Sequence, residues 1–107
     1  MKFVQFKAQI EGYDILKKIV DSCWRVASKI KKELGIYDAK VGLELRGDTY
    51  WMEFEVRGSS GKASYETPIL KAHDVELGYL SEYDIEKYEG YCTRILNKLA
   101  ELATEEE

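Results

Sequence analysis

The residues best suited to acid–base or metal chemistry lie in one short segment, His73-Asp74-Val75-Glu76. An imidazole beside carboxylates can bind a metal ion or transfer a proton near neutral pH. His73 is the only histidine, however, and the segment is predicted to be a loop, where an exposed or backbone-capping histidine is more common. We therefore predict no catalytic residue, no metal site and no cofactor, and a protein that is not an enzyme.

Two further motifs have a composition that suggests chemistry. Glu53 and Glu55 form a carboxylate pair on one face of a predicted strand, but glutamates on strand surfaces are usually solvated. The segment Gly58-Ser59-Ser60-Gly61-Lys62 has the composition of a phosphate-binding loop, yet it lacks the spacing and the strand–loop–helix context of one. We interpret it as a hairpin loop.

The two cysteines, Cys23 and Cys92, are too few for a disulfide framework. Both fall on apolar faces of predicted helices, which favours two buried, unreactive thiols. The alternative is a disulfide between them, which requires the two helices to pack side by side with these positions facing each other. Neither cysteine has the spacing of a zinc motif.

The composition predicts one folded domain over residues 1–107, with a frayed acidic end at 104–107. Hydrophobic residues make up 45% of the 107 residues, enough for a core, and no apolar run is long enough for a membrane span. The first residues do not resemble a secretory signal, so we expect a cytoplasmic protein. The chain has few Asn and Gln residues and many Glu, Lys and Tyr residues, a composition that indicates a thermophilic source, either an archaeon or a virus of one.

Charge is distributed unevenly along the chain. Residues 1–34 hold eight basic and four acidic residues, whereas residues 73–107 hold three basic and ten acidic residues. The acidic third would repel a nucleic-acid backbone, which argues against a general polyanion binder. The same asymmetry permits self-association between a basic and an acidic element.

Alternation predicts a hairpin over residues 39–46 and 49–57, joined by Gly47-Asp48. A two-residue turn of type II′ or I′ places Leu43 opposite Met52, with Glu44 opposite Trp51 on the other face.

Residues 2–11 alternate as well and predict a first strand. Residues 62–67 are interpreted as a third hairpin strand limited by Pro68, with Ala63 and Tyr65 pointing inward. Residues 69–80 are interpreted as a packed irregular segment.

Helical periodicity predicts α-helices over residues 14–34, with an apolar stripe from Leu16 to Leu34, and from Ser81 to about residue 103, with Leu102 in its apolar stripe. Gly35 is suited to end the first, and Ser81 with Asp84 forms a capping-box variant for the second. The fold class is therefore α+β, a two-layer sandwich of order β-α-β-β-(β)-α. Its antiparallel-rich sheet is expected to carry both long helices on one face.

The opposite sheet face would then carry two aromatic residues among mixed charges. A solvated face is the plain interpretation, and a dimer or partner interface is the second, because Trp and Arg anchor such interfaces. Single-stranded RNA stacking is the third, although several glutamates on the face would repel phosphates. For the partner-binding hypothesis, with a homodimer expected, the residues are Phe3, Lys40, Arg46, Trp51 and Arg57.

The alternative function is nucleic-acid binding by the open sheet face or by the basic face of the first helix, through Lys18, Arg25, Lys29 and Lys32. The order α-β-β-β-α over residues 14–103 is similar to that of double-stranded-RNA-binding domains, which carry a basic glycine-lysine segment at the start of the last helix. Here that helix starts with the acidic Ser81-Glu82-Tyr83-Asp84, so membership of that family is not predicted. We favour a small non-catalytic, protein-binding regulatory domain.

Overall fold

The computed structural model describes residues 13–104 and shows three helices and a three-stranded antiparallel sheet in the order β1-β2-β3. The α+β class and the antiparallel sheet agree with the sequence analysis. The elements are α1 (Tyr13–Leu34), β1 (Asp38–Arg46), β2 (Thr49–Gly58), β3 (Gly61–Lys71), α2 (Ala72–Glu76) and α3 (Glu82–Thr104).

The element order differs from the predicted one. The described residues run α-β-β-β-α-α, because a short helix, α2, follows β3. The predicted first strand at residues 2–11 lies outside the described residues, and so does Phe3. Among residues 13–104, no helix is both long and apolar enough to cross a membrane.

The β1–β2 hairpin has the predicted register. Leu43 lies opposite Met52, and Glu44 lies opposite Trp51. In the turn, Gly47 has a positive φ of 62°, whereas Asp48 does not have a positive φ, and this combination belongs to the type II′ turn rather than type I′. Register is set both by this turn and by the apolar row that each strand buries.

Strand β3 is longer than predicted and continues through Pro68 to Lys71. Pro68 lies opposite Trp51 and Leu70 lies opposite Tyr50, so Ile69 is an extra residue in β3. A bulge on an outer strand of the described sheet tolerates proline, because the missing N–H removes little of the ladder. The predicted irregular segment 69–80 is thus partly strand and partly helix.

Helix α1 buries most of its predicted apolar stripe. Leu16, Ile19 and Cys23 have no exposed surface, but Leu34, the last residue of the stripe, is half exposed. Gly35 follows the helix with a φ of 62°, the left-handed conformation that commonly ends helices.

Helix α3 begins as the capping box predicts. The backbone N–H of Ser81 donates to Oδ2 of Asp84 at 2.8 Å, and the Ser81 hydroxyl lies 3.3 Å from the same oxygen. Its stripe is buried at Tyr88, Cys92 and Leu96, among others. Leu102 was expected in the stripe but is half exposed.

The inward residues of β1 and β2 join those of α1 and α3 in one core cluster. Helix α1 packs against β1 and α3, and α3 packs against β2 and β3.

The turn between β2 and β3 touches the end of α3, where Ser60 N–H donates to the Ala103 carbonyl at 2.8 Å. A Cβ at Gly58 would lie 2.8 Å from that same carbonyl oxygen, so only glycine fits this contact.

Candidate protein-binding surface

The outward residues of the three strands form one surface, which we name the outer sheet face. Along β2, the outward side chains alternate with fully buried ones and are themselves only partly buried. The pairing of the strands brings the outward residues of β1 and β3 alongside them. The outer sheet face consists of Asp38, Lys40, Gly42, Glu44, Arg46, Thr49, Trp51, Glu53, Glu55, Arg57, Lys62, Ser64, Glu66 and Pro68.

Arg46 is the centre of an ion cluster that spans all three strands. Its Nη2 lies 2.7 Å from Glu66 Oε2 and 2.9 Å from Glu53 Oε1, and its Nη1 lies 3.1 Å from Glu66 Oε1. Its Nε lies 3.5 Å from Glu44 Oε2. The two-pronged contact with Glu66 uses the planar fork of the guanidinium, which fixes the side chain in one orientation.

The Arg46 guanidinium also stacks on Trp51, with its Cζ 4.7 Å from the ring centroid. This is within the distance at which a cation is attracted to an aromatic face. Thr49, Trp51 and Pro68 line one side of a shallow depression of about 450 Å³, which continues to Lys71 and Asp74. The Arg46 guanidinium therefore fixes the orientation of the Trp51 indole on this surface.

The pKa values of the cluster follow from its contacts. The hydrogen bond from Arg46 lowers the pKa of Glu66. Burial, followed by a hydrogen bond with Glu44, raises the pKa of Glu53 in spite of Arg46. Hydrogen bonds to Glu66 and Glu53 raise the pKa of Arg46, which remains a cation. One cation thus holds three carboxylates together on this face.

The other end of the outer sheet face is more basic. Arg57 lies opposite Lys62 in the register of β2 and β3, and the Arg57 side chain is exposed. Lys62 Nζ lies 3.2 Å from Glu55 Oε1, and Lys40 Nζ lies 3.4 Å from Asp38 Oδ2. Along the strands, the face therefore changes from an acidic middle to a basic end.

Four of the five predicted partner-binding residues lie on the described surface, but they do not form one cluster. Arg46 and Trp51 are in contact, whereas Lys40 and Arg57 lie toward the basic end. Phe3 is outside the described residues. Sequence reasoning missed Pro68 as the neighbour of Trp51, because the bulge that brings them opposite each other has no mark in the residue pattern.

The sequence analysis also missed an apolar groove between β3 and α3. Tyr65 and Leu102 were both expected in the core but are about half exposed. Tyr91, Ile95 and Leu99 line the groove between them. Leu102 lies near the end of its helix and Tyr65 on an outer strand of the described sheet, so periodicity alone overestimated their burial.

The basic residues of α1 are exposed but partly neutralised. Lys18 Nζ lies 3.9 Å from Glu82 Oε1, and Lys29 Nζ lies 3.9 Å from Glu33 Oε1. Arg25 and Lys29 border a depression that also contains Glu33 and Glu89. Lys32 is exposed in the last turn of the helix. The carboxylates that accompany this basic face reduce its attraction for phosphates.

His73 lies in α2 and not in the predicted loop, and its side chain is exposed. Its backbone carbonyl accepts a hydrogen bond from Leu77 N–H at 3.0 Å. Over residues 13–104 there is no group of three or more His, Cys, Asp or Glu side chains arranged to hold a metal ion. Glu53 and Glu55 are divided between two ion pairs, with Arg46 and Lys62 respectively.

The chain matches no protein-family model, and no similar protein was found among curated proteins or solved structures.

Proposed function

We propose that the protein is a small non-catalytic binding module that forms a homodimer through the outer sheet face, with α1 and α3 both covering the other face of the sheet. The supporting observation is the contact between Arg46 and Trp51, at 4.7 Å from the ring centroid. Trp and Arg are the residues that most often dominate binding energy in protein interfaces. Both side chains are held in place before binding, which reduces the entropy lost on association.

The charge pattern of the outer sheet face supports a second copy as the partner. Glu53 and Glu66 are opposite each other in the acidic middle, and Arg57 and Lys62 are opposite each other at the basic end. In both strands the acidic and the basic residue are four positions apart. A two-fold axis crossing the strands at the level of Glu55 would place each basic pair over the acidic pair of the other copy.

This arrangement is isologous, so each favourable contact occurs twice in the dimer. Glu55 would lie at the axis, where its charge is already balanced by Lys62 at 3.2 Å. Trp51 of each copy would face the turn between β2 and β3 of the other, around Ser59 and Ser60. Small residues in this turn leave space for an indole ring.

Charge exchange between β3 positions tests the proposed dimer. Lys62→Glu alone and Glu66→Lys alone each place like charges opposite each other, so we expect each variant to be monomeric by light scattering. An equimolar mixture restores both opposite-charge contacts in a mixed dimer, and we expect it to elute as a dimer. Lys98→Glu makes the same charge change on α3, in the groove between α3 and β3 and outside the outer sheet face, and should leave the wild-type dimer intact.

A wild-type protein that stays monomeric at high concentration would exclude the homodimer. A mixture that remains monomeric although both variants are folded by circular dichroism would exclude this arrangement of the two copies.

RNA binding is a second candidate function, supported by the exposed basic residues of α1. Lys18, Arg25, Lys29 and Lys32 project from a helix that carries few acidic residues of its own. Binding through phosphates would make the affinity for RNA or DNA fall steeply as salt increases. A titration at low salt tests this function, and no binding under those conditions would exclude it.

A further inference from the structure

Cys23 of α1 and Cys92 of α3 face each other in the centre of the core. Both side chains are fully buried, and both thiols are free. Cys92 Sγ lies 3.6 Å from Met52 Sδ of β2. Cys23 Sγ lies 3.8 Å from the carbonyl oxygen of Tyr88, one helical turn before Cys92. Cys23 is thus packed against the turn of α3 that leads to Cys92.

Two contacts on the N-terminal side of the cysteines hold the two helices in this alignment. The Ser22 hydroxyl, which is buried, donates a hydrogen bond to the Glu89 carboxylate. Further toward the N-terminal ends of both helices, Lys18 Nζ lies 3.9 Å from Glu82 Oε1. Both helices therefore run in the same direction. Cys23 and Cys92 lie at the same height along the helix pair, on the side that faces the sheet.

We propose that Cys23 and Cys92 are a site of covalent modification, and form a disulfide that joins α1 to α3 when a low-molecular-weight disulfide such as oxidised glutathione is present. One cysteine thiolate attacks the glutathione disulfide and releases one glutathione thiolate, leaving a mixed disulfide. The second cysteine thiolate then attacks the protein sulfur of that intermediate and releases the second glutathione. The protein loses two protons and two electrons, and the oxidant becomes two glutathione thiols.

The environment of the pair determines when this reaction takes place. The hydrogen bond with Cys23, together with burial, raises the pKa of the Cys92 thiol, so the folded protein holds almost no reactive thiolate there. The oxidant must therefore reach the cysteines before α1 packs against α3 or during a transient separation of the helices. Once formed, the bond is shielded from reductants by the same burial.

The crosslink would close a chain loop that contains all three strands and α2. Long closed loops restrict the unfolded chain most, and cysteine pairs that already face each other need little backbone movement. We expect oxidation to raise the Tm by roughly 10 °C.

Mass spectrometry of the full chain tests the proposal. The protein is incubated with oxidised glutathione through partial unfolding and refolding, alkylated under denaturing conditions, and digested without reductant. We expect no alkylated cysteine and a linked peptide pair containing residues 23 and 92. The Tm rise should disappear after the chain is unfolded, reduced and refolded, and it should be absent from the double variant Cys23→Ala/Cys92→Ala treated with the same oxidant.

Three results would overturn the proposal. The first is full alkylation of both cysteines after the treatment. The second is linkage between two chains, seen as a dimer on a non-reducing gel, in place of linkage within one chain. The third is an internal disulfide that leaves the Tm unchanged or lowers it. The mass measurement on the wild-type chain decides the first two even where the double variant is less stable.

Discussion

The two faces of strand β2 differ in how deeply their side chains are buried. Met52 and Phe54 each have 1% of their surface exposed and pack in the core. The alternate residues Trp51 and Glu53 are only partly buried and belong to the Arg46 cluster. Burial of apolar area stabilises a fold far more than exposed ion pairs do. The inner row therefore carries most of the stability that β2 supplies, and the outer row contributes little to it.

The largest expected effect comes from truncating the inner row. Phe54→Ala removes a fully buried ring that lies 6.4 Å, centroid to centroid, from both Tyr65 and Tyr91. We expect the free energy of unfolding to fall by about 3–5 kcal/mol, measured by urea denaturation.

Trp51→Ala is the matched change on the outer row of the same strand. It removes the cation–aromatic contact with Arg46 and should cost only about 1 kcal/mol of stability. The variant should nevertheless lose self-association in light scattering, because Trp51 is an anchor of the proposed interface. Equal losses of stability in the two variants would contradict the division between the faces.

A loss of stability smaller than that of Phe54→Ala is expected where the sheet meets the end of α3. In Gly58→Ala, the new Cβ would approach both the Ala103 carbonyl oxygen and Thr104 Cγ2 to 2.8 Å, so backbone must move. We expect a loss of about 1–3 kcal/mol in unfolding free energy, as for other overpacked sites.

Gly90→Ala is the control for that substitution. Gly90 lies inside α3, and nothing lies within 4 Å of its added Cβ. Alanine favours the helix over glycine, so this variant should gain about 0.5–1 kcal/mol. A loss in both glycine variants would show that the contact with Ala103 is not the cause.

The smallest effect concerns the titration of the outer sheet face. Arg46 lowers the pKa of Glu66, so this ion pair stabilises the fold above the ordinary Glu range and is lost as pH falls through the lowered value. Glu53 has a raised pKa, so its ionisation opposes folding as pH rises through that value. In Arg46→Ala, we expect the Glu66 pKa to rise toward 4.5, measured by carboxyl NMR titration. An unchanged Glu66 pKa would show that the cluster does not persist in solution.

The hairpin was predictable because two independent signals agreed. The Gly47-Asp48 turn and the apolar alternation specify the same pairing, and the structure has that register. The helices were predictable in the same way, from an apolar stripe bounded by a cap at Ser81 and a glycine at position 35. In each case the residues that end or turn an element coincide with the limits of its hydrophobic periodicity.

The parts that could not be predicted depend on contacts between distant elements. Helix α2 is a single short helix, and its first residue donates a backbone hydrogen bond to the Asp48 carbonyl in the hairpin turn at 2.8 Å. The bulge at Ile69 arises from pairing with β2 and brings Pro68 beside Trp51. Alternation along the strands identifies which residues point outward. The contacts of Arg46 with Glu66 could be predicted only with the register of β3, and the sequence does not specify that register.

The hydrogen bond from Ser60 to Ala103 links the extremity of the sheet to the final turn of α3. Carbonyl groups in the last turn of a helix accept no hydrogen bond from within the helix, and such ends commonly fray. Here one of them is occupied by a backbone amide more than forty positions earlier in the chain. Fraying of the last turn of α3 therefore breaks a contact with the β2–β3 turn, and exchange of the Ser60 amide hydrogen reports on that contact.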